Sequence, residues 1–252
     1  MFDMDNIGKP VGERKPNKGT IIAFEKNEDD YLDDICDDPR IPLSKEEIKL
    51  THLPDDLIYS NKAEEAFVTG VREVIKEMTN DQELITNTPR RLLKAFDEWF
   101  KDSNTPLEQI AKETCKTFES ENSDLIIADN IEVFATCCHH CCPYSTTIAI
   151  GVIPDGKVMG LSKYSRVAKR VARRFDSGMV ENLVTNIYKV LKIGLGTDNI
   201  MVVAYSKPGQ VHTCAASRGA NDTNMQVTSS SIHGLFVANP ELKREFLSLI
   251  RK

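Results

Sequence analysis

Residues 136–142 read Thr136-Cys137-Cys138-His139-His140-Cys141-Cys142, with four cysteines and two histidines in six consecutive positions. Packing alone rarely selects such a run, whereas zinc takes both thiolate sulfur and imidazole nitrogen, and a Cys-x-x-His spacing lets one short loop offer two ligands to one ion. Cys214, in Val211-His212-Thr213-Cys214, is the only cysteine later in the chain. Three protein ligands would leave one tetrahedral position open for water, as in a catalytic rather than a structural zinc site. Spacing leaves open which members of the cluster bind. Cys138 and Cys141 also make a Cys-x-x-Cys pair, half of a zinc ribbon, but the second half would need another pair downstream. Cys142, next to Pro143, is expected to be a small buried hydrophobe.

A second group of residues suits an anion. Gly160-Leu161-Ser162-Lys163-Tyr164-Ser165-Arg166 opens a basic stretch that continues with Lys169, Arg170, Arg173 and Arg174. In a helix the first turn would offer free N–H groups and the positive end of the dipole. Lys163 and Arg166, three apart, would reach the same side of that turn. For Lys169, Arg170, Arg173 and Arg174 the expectation is a solvated face over Val167 and Val171, because basic side chains often cover apolar surface with their stems.

The elements that must carry these groups are legible from periodicity. Ala63, Phe67, Val71, Val74 and Met78 form one apolar helical stripe. A second helix is predicted to start at Thr88-Pro89, a capping hydroxyl before proline, and to bury Leu92, Leu93, Phe96, Trp99 and Phe100. Strand character follows at Ile131-Phe134 and Thr146-Ile153, then two helices over Ser162-Phe175 and Met179-Ile193. Ile200-Ser206 and Val211-Ser217 are predicted strands around a Pro208-Gly209 turn, and a last helix opens at Asn239-Pro240 and buries Leu242, Phe246 and Leu249. The predicted class is α+β, an antiparallel sheet covered by helices.

Composition narrows the function. The chain has 252 residues, enough to bury a sizeable core, and a net charge of −6 that gives no general attraction to nucleic acid or an anionic membrane. The basic stretch lacks interleaved aromatics for base stacking. No run approaches a bilayer span, and Met1-Phe2-Asp3-Met4-Asp5 lacks a secretory pattern, so a cytoplasmic protein is expected. Its seven cysteines then read as metal-binding or catalytic rather than disulfide-bonded. Residues 1–58 stand apart as an acidic, flexible extension. Glu25 to Asp38 holds eight acids against one lysine, a composition that can also form a tail docking on a partner.

The motifs together resemble the GTP cyclohydrolase I family over residues 59–252. That family has a Cys-Glu-His-His segment and a later His-x-Cys; this chain has Cys137-Cys138-His139-His140 and His212-Thr213-Cys214. Gly160-Leu161-Ser162-Lys163 followed by Arg166 is a further family feature, as are Thr228-Ser229-Ser230-Ser231 and Gly234-Leu235-Phe236. The resemblance implies a tunnelling fold, with an N-terminal helical pair in a helical part over 59–125 and the tunnelling-fold part over 126–252. It also implies a ring-shaped homodecamer with interfacial active sites. Zn2+ is the implied cofactor, held by Cys137, His140 and Cys214, and GTP the implied substrate.

By the same resemblance His139 and His212 move protons, Glu181 anchors the guanine, and Arg91, Ser162, Lys163, Arg166 and Arg218 bind the triphosphate. Taken alone, Arg91 would be an ordinary exposed residue. The implied reaction is hydrolysis at C8, release of formate and rearrangement to 7,8-dihydroneopterin triphosphate. Two departures stand out: Cys138 replaces the family's glutamate, and Val180-Glu181 stands where the family has Gln-Glu, after a segment about two residues longer. They motivate an alternative, a related zinc hydrolase acting on another purine nucleotide or stopping at a ring-opened product. A nitrile-reducing sister activity, using NADPH and no zinc, and a non-enzymatic module with a structural zinc are the other two readings.

Overall fold

The computed structural model describes residues 59–250; the acidic extension read over 1–58 and Cys36 within it lie outside the described residues. Helix α1 (Asn61–Lys76) is capped by Ser60, whose hydroxyl accepts from the Ala63 N–H. Helix α2 (Gln82–Phe100) begins well before the predicted Thr88-Pro89 start. The carboxylate of Asp81 accepts from both Glu83 and Leu84, so it caps the helix earlier and leaves Pro89 inside it, buried. The predicted α1 stripe is rotated by one position. Val68 and Arg72 are buried, Phe67 and Val71 half-buried, and Val74 and Met78 exposed. Packing against α2 sets this face, with Phe67 and Phe96 rings 5.2 Å apart.

After α3 (Leu107–Thr114), the short strands β1 (Thr117–Glu119) and β4 (Lys157–Met159) pair antiparallel and lead into α4 (Leu161–Ala172). The main sheet is antiparallel in the order β2 (Ile126–Thr136), β3 (Pro143–Val152), β5 (Ile200–Tyr205), β6 (Thr228–Ile232). Its two faces bury different sets of side chains. Ile148, Ile150, Ile200 and Val202 pack with Val167 and Val171 of α4 and with Leu183, Ile187 and Leu191 of α5 (Val180–Leu195). Ala149, Met201 and Val203 pack on the other side with Phe236, of the short helix α7 (Leu235–Ala238), and with Phe246, of α8 (Pro240–Leu249). Helix α8 starts at the predicted Asn239 cap, but Ile250 is buried where Leu249 was expected and Leu249 is exposed.

One predicted strand is absent. Val211–Ser217 forms only a single bridge, Tyr144 to His212, before the short helix α6 (Thr213–Ala216). Side chains capture the backbone there: the Thr213 hydroxyl donates to the Pro143 carbonyl, and the Ser217 hydroxyl donates to the Thr213 carbonyl at 2.6 Å. The edge of β5 is taken instead by β6. The α+β class stands. Among the described residues, no helix is long and apolar enough to cross a membrane.

The basic stretch also differs from expectation. Arg170 and Arg173 both reach Asp102, in the connection between α2 and α3, at 2.8 and 2.6 Å. Arg174 is buried, pairs with Asp176 and donates to the carbonyls of Asp102 and Thr105. Only Lys169 of the four lies on an exposed face. These arginines tie the helical pair to α4, because Asp102 is a single buried anion within reach of two guanidinium forks.

Candidate metal centre and active site

Strand β2 ends at Thr136, and the chain then turns tightly into β3. The Cys137 N–H donates to the Cys142 carbonyl at 2.9 Å, and the Cys141 N–H to the Cys137 carbonyl at 2.8 Å, with Cys141 in the left-handed region at φ 50. This turn presents Cys137 and His140 together. Cys214 arrives on α6, docked to the start of β3 by the Tyr144–His212 bridge and the Thr213–Pro143 hydrogen bond.

The donor atoms of Cys137, His140 and Cys214 all lie within 4.8 Å of one another. His140 Nδ1 is 3.5 Å from Cys137 Sγ and 3.4 Å from Cys214 Sγ. Sulfur at about 2.3 Å and nitrogen at about 2.0–2.1 Å from a tetrahedral zinc would lie about 3.5 Å apart. The donor set and its spacing therefore fit that ion. Cys138 and Cys141 are not gathered with a second cysteine pair among the described residues, so the zinc-ribbon alternative has no support there. Cys142 is half-buried and its thiol donates to the His140 carbonyl at 3.4 Å, rather than packing as a plain hydrophobe.

His212 lies beside this group. Its ring stacks on Tyr144 at 4.8 Å, and its Nε2 is 2.9 Å from the Ser206 hydroxyl. Burial holds its pKa below that of an ordinary imidazole. Desolvation, then the charges of Arg218 and His139, do the same for His140. His139 is exposed, its Nδ1 4.0 Å from Cys138 Sγ. Sequence reasoning passed over Ser206 and Tyr144. The signal for Ser206 was its place just before the Pro208-Gly209 turn, which folds the chain back so that residues 206 and 212 meet.

The phosphate candidates are distributed. Ser162, Lys163 and Arg166 occupy the first turns of α4, where no side chain caps Gly160. Arg218 has φ 59 in the loop after α6, close enough to His140 to act on its pKa. Arg91 is exposed on α2 and paired with Glu83 at 2.7 Å. No hydrogen bond or ion pair links Arg91, Ser162, Lys163 or Arg166 to the metal-site residues among the described residues.

The GTP cyclohydrolase I family model matches residues 66–251. The chain belongs to the GTP cyclohydrolase I family. It is similar to GTP cyclohydrolase 1 of Pseudoalteromonas translucida, 32% identical over 184 residues, covering 72% of this chain and 96% of that protein. It is also similar to GTP cyclohydrolase 1 of Campylobacter concisus, 32% identical over 191 residues and covering 74% of this chain and 95% of the relative. A third relative, GTP cyclohydrolase 1 of Alkalilimnicola ehrlichii, is 31% identical over 189 residues, with coverages of 74% and 98%.

The segment before α5 has a definite seat. Arg174 leads into a single 3-10 turn, Phe175–Ser177, and Gly178 follows with ordinary right-handed torsions. Space, not conformation, selects glycine: a Cβ there would stand 2.5 Å from both the Thr136 carbonyl oxygen and the Cys138 nitrogen. The segment thus rests on the backbone of the turn between β2 and β3 that carries Cys137 and His140. Val180 is buried in the main core, and Glu181 beside it is exposed. Gly178→Ala is expected to destabilise the protein by about 1–3 kcal/mol and to weaken metal uptake by displacing Cys138. Thermal unfolding together with a zinc titration checks this; a variant matching the parent in both would show that the loop yields freely.

Proposed function

We propose that this protein is a zinc-dependent GTP cyclohydrolase of the cytoplasm. It would hydrolyse GTP at C8, release formate and reclose the product as 7,8-dihydroneopterin triphosphate, a first step towards pterins and folate. The observation carrying this reading is the close set of Cys137, His140 and Cys214 donors in a member of this family. These three residues would hold the zinc, which when bound supplies Lewis acidity and activates water near neutral pH, with one position left open by three ligands.

The chain's own residues do the rest. His212, kept neutral by burial and held at Nε2 by Ser206, is suited to take up a proton as the imidazole ring of the base opens. His139, exposed at the same loop, is the second proton carrier. Glu181, in the first turn of α5, accepts from the N–H donors of the guanine edge through charge-assisted hydrogen bonds. Ser162, Lys163 and Arg166 at the start of α4 bind the triphosphate, helped by the helix dipole, with Arg91 and Arg218 completing the clamp.

Membership of this family supports assembly into a ring-shaped homodecamer of tunnelling-fold subunits, with sites completed across interfaces. Exposed Val74 on α1 and Met78 just after it supply apolar surface for such contacts. A second reading, turnover of another purine nucleotide or arrest at the ring-opened product, is motivated by Val180, whose buried side chain offers the base no polar contact. Zinc-loaded protein incubated with GTP, dGTP and ATP, with formate and the pterin measured separately, decides between them. Formate and pterin from GTP alone is the expected result. Formate without pterin favours the ring-opened product, and preference for ATP would overturn the assignment of GTP.

A further inference from the structure

Strand β5 ends at Tyr205 and β6 begins at Thr228, and Ser206 and Val227 extend that pairing by one step. The Ser206 N–H donates to the Val227 carbonyl at 3.0 Å, and the Val227 N–H donates to Ser206 Oγ at 3.2 Å. Ser206 is 8% exposed, and the third neighbour of its oxygen is His212 Nε2 at 2.9 Å. The turn over 207–210 is tied to β3 separately. There the Gln210 side-chain carbonyl accepts from the Lys207 N–H at 2.9 Å, and its amide donates to the Thr147 hydroxyl at 3.0 Å.

A serine hydroxyl has one proton to give and two lone pairs to fill. The Val227 N–H can only donate, and fills one lone pair; the Val227 carbonyl, 3.4 Å from Oγ, can only accept. His212 Nε2 can do either, so the tautomer of the ring is tied to the direction of the hydroxyl. With the hydroxyl turned to Val227, its second lone pair meets an Nε2–H, and every hydrogen-bonding capacity of this buried group is used. With the hydroxyl turned to Nε2, one lone pair is idle. The ring proton then sits on Nδ1, which has no hydrogen-bond partner among the described residues. The first arrangement also serves both charge states, since an imidazolium carries a proton on Nε2 as well. Proton uptake then needs no rotation of the hydroxyl, whereas the second arrangement would set the serine O–H against a new N–H.

We infer that Ser206 is a positioning residue for His212: fixed on Val227, its oxygen accepts from Nε2–H and leaves Nδ1 as the bare nitrogen that takes up the proton. Tyr144, stacked 4.8 Å from the ring, holds its plane, and Ser206 selects between the two flips within that plane. The inference deepens the reading of His212 as a proton carrier and rests on it.

The test begins with the zinc-loaded parent, labelled with nitrogen-15 in its five histidines. Solid-state NMR separates a protonated ring nitrogen from a bare one, and His212→Gln identifies the His212 signals by their loss. That variant should also abolish GTP turnover. His212 is expected to carry its proton on Nε2. Ser206→Ala should show both tautomers and lower kcat for formate release about tenfold, with KM for GTP and zinc content unchanged. Gln210→Ala is the control, since it loosens the same turn without touching the ring; it should lower Tm and keep the parent's kcat. A proton on Nδ1 in the parent, an unchanged kcat in Ser206→Ala, or an equal loss of kcat in Gln210→Ala overturns the inference. If Ser206→Ala does not fold, the parent's tautomer decides alone. Parent protein that releases no formate from GTP, or His212→Gln with full turnover, overturns the reading of His212 itself, and the inference with it.

Discussion

Cys214→Ala is expected to lose zinc stoichiometry and to lower GTP turnover by at least about 10³-fold, equivalent to roughly 4 kcal/mol of barrier. Cys137 and His140 come from one turn of four residues, so alone they make a short chelate from a single loop. Cys214 adds the only donor that arrives from another element, and it closes the set at 3.4 Å from His140 Nδ1. The fold should survive. Cys214 is half-buried in a four-residue helix, and Thr213 rather than the cysteine anchors that helix to Pro143. Burial, then Cys137 and Cys142 nearby, push the Cys214 thiol up to about 11 in the metal-free chain. The thiol is thus protonated at neutral pH, metal uptake must release its proton, and apparent affinity should rise with pH. Metal content by elemental analysis, read beside turnover and metal-free melting temperature, checks the prediction. Full zinc occupancy in Cys214→Ala would sink the ligand assignment, and Cys142→Ser, which should keep its zinc, shows whether loss is specific to the ligand position.

The candidate donor cluster was legible because coordination chemistry is written locally: Cys-x-x-His places two donors within one turn whatever the rest of the chain does. Resemblance supplied Cys214, which spacing from residue 140 could not. The residues behind the ligands were not legible. Tyr144 reaches the site through the register that sets it opposite Ala135 and bridges it to His212, and alternation of apolar residues fixes a face, not a register. Gly178 is explained only by the approach of Thr136 and Cys138 from a strand some 40 residues earlier in the chain.

Fold errors have the same origin. The α1 stripe was the right kind of pattern, but the contact with α2 selected Val68 and Arg72 as its buried positions. Val211–Ser217 has strand-forming residues, yet Thr213 and Ser217 satisfy the local backbone with their hydroxyls, which propensity does not weigh. The basic run after Arg166 read as solvated because its acceptor, Asp102, lies in a distant connection with no motif of its own.

That acceptor makes the largest expected stability effect. Asp102→Ala should destabilise the protein by about 3 kcal/mol, lowering Tm by about 6–12 °C for a chain of this size. Each carboxylate oxygen serves one arginine: Oδ1 takes Arg170 Nε at 2.9 Å, and Oδ2 takes Arg173 Nε at 2.8 Å. The Asp102 side chain is 6% exposed, whereas those of Arg170 and Arg173 are 22% and 42% exposed. Water can therefore partly receive the stranded guanidiniums, and Glu113 still holds Arg170 at 2.7 Å, which places the cost at the lower end for a broken buried pair. Arg173→Ala, which removes one partly solvated arm, should cost about 1 kcal/mol. Because Arg170 sits on the helix whose first turns carry Ser162, Lys163 and Arg166, Asp102→Ala should also raise KM for GTP while leaving zinc content intact. Thermal unfolding and steady-state kinetics measure both effects. A melting temperature within 2 °C of the parent would mean that Glu113 suffices to hold Arg170, that Asp176 and the backbone carbonyls suffice for Arg174, and that Asp102 is not the anion that fastens the helical pair to α4.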